Sequence, residues 1–199
     1  MNNDLVKKGY NKSAKNYLSQ RDQFSNIKYL EKLNKLLKPN SLILDLGCGA
    51  GKPIDKWLII KGHKVIGIDI SEKQIELARK NAPQGQFKVK DMSDLQEKEY
   101  QVDAVVSFYT IFHIPRETHQ NLFKKIASFL QKNGLILVTM GANEWEGKEQ
   151  DFHGTEMYWS HYGADKNRKI IQNAGFDILL DEIDEGANER HQIVIAKKT

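Results

Sequence analysis

The chain has 199 residues, 40% hydrophobic and 28% charged, with a net charge of +4 and one cysteine. That length suits a single domain with a sizeable core. No apolar stretch is long enough for a transmembrane helix, the opening Met-Asn-Asn-Asp-Leu-Val-Lys-Lys lacks the apolar segment of a signal peptide, and a lone cysteine excludes an internal disulfide, so a cytoplasmic location is expected.

The charge is uneven: residues 1–38 hold nine Lys and Arg against three Asp and Glu, a net of +6, which leaves −2 for the remainder. A basic terminus can mark an RNA or anionic partner, but a solvated helix face accounts for it more simply. Two helices are expected there. One spans Asn11 to about Ser19, with Tyr10 and Tyr17 on roughly one side. In the other, Phe24, Ile27, Leu30, Leu33 and Leu37 recur at helical spacing until Pro39 stops it.

From residue 40 the pattern alternates. Strands are expected at 42–46, 64–69, 86–90, 102–107, 134–140, 176–183 and 191–197, with helices at about 53–62, 72–81, 117–131 and 164–174. Ser71 before Glu72 reads as a helix N-cap, and Gly62, Gly134 and Gly175 read as C-cap glycines. This order predicts a mostly parallel sheet with helices on both faces. The last two strands, joined through polar residues 184–190, should pair as a hairpin. Four parts follow: a helical cap at 1–40, a core at 41–140, a long irregular insert at 141–163 covering a site, and a final helix and hairpin at 164–199.

The chemistry concentrates at Leu42-Ile-Leu-Asp-Leu-Gly-Cys-Gly-Ala-Gly51, an apolar strand ending in Asp45 and turning into a loop of alternating glycines. Such a loop permits a tight turn and close backbone approach to a ligand. An acid just before it opposes a pyrophosphate and favours a cationic group. A second strand, Lys64 to Asp69, ends in a carboxylate about 20 residues after the loop, where nucleotide-binding units place the acid that takes ribose hydroxyls.

With Asp69-Ile-Ser71, Asp91-Met92 and the run Ser107-Phe-Tyr-Thr-Ile-Phe-His113-Ile-Pro115, these residues resemble the class I S-adenosylmethionine-dependent methyltransferases over roughly residues 40–140. The resemblance implies a Rossmann-like three-layer α/β sandwich, with seven strands of which one, near the edge, is antiparallel. It implies S-adenosyl-L-methionine as cofactor and S-adenosyl-L-homocysteine as product. Asp45, Gly47 and Gly49 would face the methionine part, with Cys48 a small spacer between the glycines. Asp69 would hold the ribose and Asp91 the adenine amino group. Ile70 and Met92 would flank the base, and Phe108 would border the sulfonium. Tyr10 and Tyr17 resemble N-terminal tyrosines that close over the cofactor.

For the acceptor, Tyr109, His113, Trp145, Tyr158 and His161 are candidates. His113 would be either a general base, given its near-neutral intrinsic pKa, or a packed pocket residue. The histidine spacings match no zinc signature, so no metal is expected. The predicted activity is methyl transfer to a small molecule, by a monomer or homodimer and without a membrane partner. Methylation of RNA or protein guided by the basic N-terminus, and a non-catalytic cofactor-binding module, are the alternatives. A dinucleotide oxidoreductase is disfavoured by Lys52 at the third glycine position, and a P-loop by Leu46 and Pro53.

Overall fold

Apolar residues on both sides of consecutive strand positions organise the molecule. The computed structural model describes residues 2–21, 26–185 and 190–199, with side chains for all of these except Asn2 and residues 15–21. Its helices are α1 (Asn2–Arg21), α2 (Ile27–Asn34), α3 (Ile54–Ile60), α4 (Glu72–Asn81), α5 (His119–Phe129) and α6 (Ala164–Asn173). Its strands are β1 (Leu42–Leu46), β2 (Lys64–Asp69), β3 (Gln86–Val89), β4 (Val102–Ser107), β5 (Leu130–Gly141), β6 (Trp145–Phe152), β7 (Thr155–His161), β8 (Phe176–Asp184) and β9 (His191–Lys198).

Seven strands form one sheet in the order β3-β2-β1-β4-β5-β9-β8, in which β9 alone runs antiparallel to its neighbours. Successive residues serve opposite layers, as the pleat requires. Ile43, Ala104, Val106, Leu135 and Leu137 pack with Tyr29, Leu30 and Leu33 of α2 and Ile54 and Leu58 of α3. Leu44, Leu46, Val105, Ile136 and Val138 pack with Phe123, Ile126 and Phe129 of α5 and Ile170 and Ile171 of α6. Each fully buried aliphatic or aromatic side chain contributes about 1.5–3 kcal/mol. The expected α/β sandwich, with its antiparallel strand next to the edge, is what forms.

Four local expectations are corrected. The first helix is not a short one from Asn11: α1 starts at Asn2 and runs 20 residues, through Gly9. The segment 141–163 is not irregular. There β6 and β7 form a separate antiparallel hairpin, closed by His153 (φ 52°) and Gly154 (φ 82°) between the paired Phe152 and Thr155. Gly134 is no C-cap but lies inside β5, where Asn133 takes the left-handed conformation (φ 68°) beside a register shift against β4. Finally, α5 begins two residues later than expected, after a 3-10 turn at Arg116–Thr118, and ends at Phe129. Phe24, expected to start the second helix, lies outside the described residues.

The hairpin is not detached. Met157 and Tyr158 of β7 pack with Val6 of α1, and with Tyr10 and Ile70 around them. It therefore braces α1 beside Ile70, which follows the carboxyl end of β2.

Candidate active site

Strand order turns at the boundary between β1 and β4, and open sheets bind ligands in the crevice beyond such a switch point. Ser107 at the end of β4 ties the two strands there, its hydroxyl donating to the Leu46 carbonyl at 2.8 Å. The glycine loop emerges from β1 at this point.

The loop's amides turn inward. Gly47 and Cys48 N–H groups donate to the Ile68 carbonyl at 2.8 and 3.0 Å, Gly51 N–H to the Cys48 carbonyl at 3.1 Å, and Gly49 N–H to an Asp69 carboxylate oxygen at 2.9 Å. The loop thus offers shape rather than a ring of free donors. Glycine is required at Gly47, where φ is +77° and a Cβ would come within 2.2 Å of Thr110.

Beyond the loop lies a crevice that encloses about 610 Å³ of space, its solvent-open mouth included. Gly47, Gly49, Asp69, Ile70, Asp91 and Met92 line it, together with Phe108, Tyr109 and His113. Sequence elements separated by about a hundred residues therefore meet, along with Tyr10 of α1.

Asp69 is fixed by two backbone donors, Gly49 on one oxygen and Ser71 at 2.8 Å on the other. Asp91 takes Ser93 N–H at 2.8 Å and the Asn3 side-chain amide at 2.7 Å. Each carboxylate oxygen retains acceptor capacity.

His113 is 3% exposed, and its ring is pinned at both nitrogens. Nδ1 lies 2.8 Å from the Tyr158 carbonyl, which can only accept, so Nδ1 carries the proton. Nε2 therefore accepts from the Tyr10 hydroxyl at 2.8 Å. Burial pushes the imidazole down to about 4, so the ring is neutral at physiological pH. That is far below the near-neutral value expected of a general base.

Tyr109 sits in the left-handed region at φ 56°, uncommon for a bulky residue and costing about 1–3 kcal/mol. Its hydroxyl accepts from the Asn26 amide at 2.7 Å, and its ring meets His191 edge-on at 4.9 Å.

Several expected site residues stand elsewhere. Asp45 is 2% exposed at the end of β1 and is not among the cavity-lining residues. The Cys48 side chain packs away from the crevice with Ile75, Ala78 and Phe87. From the hairpin, Trp145 is 45% exposed, the Tyr158 hydroxyl donates to Glu146, and His161 bonds the Asn143 carbonyl; none lines the cavity. The side chain of Tyr17 lies outside the described residues. Conversely Asn3, Val6, Gln74 and Lys90 line the cavity and were not anticipated, whereas Thr110 on its wall belongs to the expected run Ser107–Pro115. For Gln74 a signal existed, a polar residue on the buried stripe of α4; the others carry none. Among the described residues, no group of three or more His, Cys, Asp or Glu is placed to hold a metal ion.

Residues 43–134 match the family model for a methyltransferase domain. The phosphoethanolamine N-methyltransferase 1 of Zea mays is 28% identical over 174 residues, covering 83% of this chain and 34% of that protein. A putative methyltransferase of Invertebrate iridescent virus 6 is 35% identical over 121 residues, 57% of this chain and 44% of that one. The chain thus spans less than half the length of these curated relatives. Among solved structures, the magnesium protoporphyrin IX methyltransferase of Synechocystis PCC 6803 with bound S-adenosylhomocysteine superposes with a TM-score of 0.75 at 20% identity over the whole of both chains. An S-adenosylmethionine-dependent methyltransferase of Methanosarcina mazei gives 0.72 at 20% identity, over 83% of this chain and 96% of that one. Residues 43–134 thus match a methyltransferase domain, and the chain shares the fold of solved S-adenosylmethionine-dependent methyltransferases.

Proposed function

We propose that the protein transfers a methyl group from S-adenosylmethionine to a small-molecule acceptor by in-line displacement. The observation that carries the proposal is the meeting of Asp69, Asp91 and the glycine loop in one crevice. The residues fit the cofactor: Asp69 keeps lone pairs for a sugar diol, Asp91 for an amino group, and Ile70 and Met92 give an apolar slot for a base. The inward-turned loop amides argue against a pyrophosphate, which needs those donors. When bound, the cofactor supplies a methyl group activated on a sulfonium.

The chain's own task is then to orient the acceptor and exclude water, which can supply on the order of 7–11 kcal/mol of a barrier. Tyr109, Phe108 and Ile114 offer an aromatic and apolar wall to the acceptor. His113, neutral and doubly bonded, positions Tyr10 rather than taking a proton. The basic N-terminal segment is partly neutralised by acids of the core, as in Lys7–Glu72 at 2.5 Å, Lys28–Asp184 at 2.6 Å and Lys32–Glu182 at 2.8 Å. This favours a small acceptor over RNA.

Calorimetric titration with S-adenosylhomocysteine tests the cofactor part. The wild-type protein is expected to bind, and Asp69→Ala to bind at least about tenfold more weakly through loss of a charge-assisted contact of roughly 1.5–3 kcal/mol. No affinity at millimolar ligand sinks the proposal. Transfer of labelled methyl from the cofactor to small-molecule, RNA and protein pools tests the acceptor; label confined to macromolecules overturns that half.

A further inference from the structure

We propose that Gln74 is a hydrogen-bonding contact for the nucleoside part of the cofactor, complementing Asp69. The inference rests on the cofactor reading above. Gln74 stands in the first turn of α4, where the Ser71 hydroxyl caps its backbone N–H at 3.1 Å. Its side chain is 1% exposed and lines the crevice beside Asp69 and Ile70. Neither the nitrogen nor the oxygen of its carboxamide has a hydrogen-bond partner within the described protein. The neighbouring buried positions of α4 are Ile75 and Ala78, so an apolar residue would suit position 74 if packing were its whole purpose. A buried amide left open on both atoms is costly, and such groups in native proteins call for an explanation.

The chemistry of Asp69 supplies one. Both its oxygens are already engaged by backbone donors, and a carboxylate can only accept. It can take hydroxyl hydrogens from a sugar, but the hydroxyl oxygens then still seek a donor. Under α1, which crosses from Asp91 to Ser71 through Asn3 and Asn11, bulk water is a poor supplier. The carboxamide of Gln74 carries both a donor and an acceptor. The pair Asp69 and Gln74 thus suits a diol-bearing nucleoside, where either residue alone would leave polar atoms unmatched.

The test compares wild type with the near-isosteric Gln74→Met by calorimetry, using two probes: S-adenosylhomocysteine and 5′-methylthioadenosine, which keeps the nucleoside and lacks the amino acid. Weakening of both by about five- to tenfold is expected, as loss of one ordinary hydrogen bond implies. The ligand-free variant should melt at or above the wild-type temperature, because an open buried amide has been removed. Unchanged dissociation constants, a loss seen only with S-adenosylhomocysteine, or a lowered ligand-free melting temperature overturns the assignment. If the wild-type protein itself binds neither probe, the cofactor reading falls and takes this contact with it. Wild-type binding with an indifferent variant removes the contact alone.

Discussion

Gly47 shows how little freedom the crevice leaves its own residues. A methyl there meets Thr110 at 2.2 Å while the backbone holds φ at +77°, so Gly47→Ala is expected to cost about 3 kcal/mol by combining overpacking with left-handed strain. A lowered urea midpoint at unchanged slope would register it. Tyr10→Phe should leave Nε2 of His113 buried without its donor, at about 1–3 kcal/mol, and weaken cofactor affinity severalfold in the same titrations. Residues whose position follows from a strand end were legible beforehand: Asp69, Ile70, Asp91, Met92 and Phe108 follow from the alternation that ends β2, β3 and β4. Side-chain direction was less legible. Cys48 lies in the right loop but turns toward Phe87, because an adjacent position in so tight a turn faces the opposite way. Asn3 and Val6 reach the cavity only through tertiary placement, which no local pattern encodes.

Among the elements, strands and core helices were readable because both-face burial writes long apolar runs into the chain. Propensity misled at α1. Gly9 costs a helix about 1 kcal/mol relative to alanine, yet it stands inside α1 close against β7, where a Cβ would lie 2.8 Å from the terminal methyl of Met157 and 3.4 Å from the Glu156 carbonyl. The hairpin escaped notice because its turn is His-Gly rather than the familiar Asn-Gly, although both residues adopt the positive φ that such turns need. Its outer strand is polar and gives no apolar period. Gly9→Leu is expected to part α1 from β7 while the sheet stays folded. Limited proteolysis near the N-terminus should accelerate and cofactor affinity fall; unaltered cleavage and binding would show that the close approach is dispensable.

Over the whole molecule, burial drives His113, His119 and His191 each down to about 4. The unfolded chain binds protons at these sites near pH 6.5 and the folded one does not, so their contribution to stability is complete above 6.5 and lost as pH falls toward 4. The loss is on the order of 2 kcal/mol each by pH 5, before depressed carboxylates such as Glu72, held at about 2 chiefly by Lys7, begin to protonate. Urea midpoints should fall from pH 7 to pH 5, and a flat profile would contradict the buried neutral rings.

The way α1 is moored has a kinetic corollary. Asn3 to Asp91, Lys7 to Glu72, Tyr10 to His113 and Asn11 to Ser71 fasten a single helix across the chamber at successive turns. With the proposed cofactor held beneath α1, its spent form would leave as these moorings slip, and residence time rather than bond-making would set the pace of each cycle. Cutting one, as in Asn3→Ala, is expected to speed product departure in stopped-flow while loosening affinity, and to raise turnover wherever departure is the slow event.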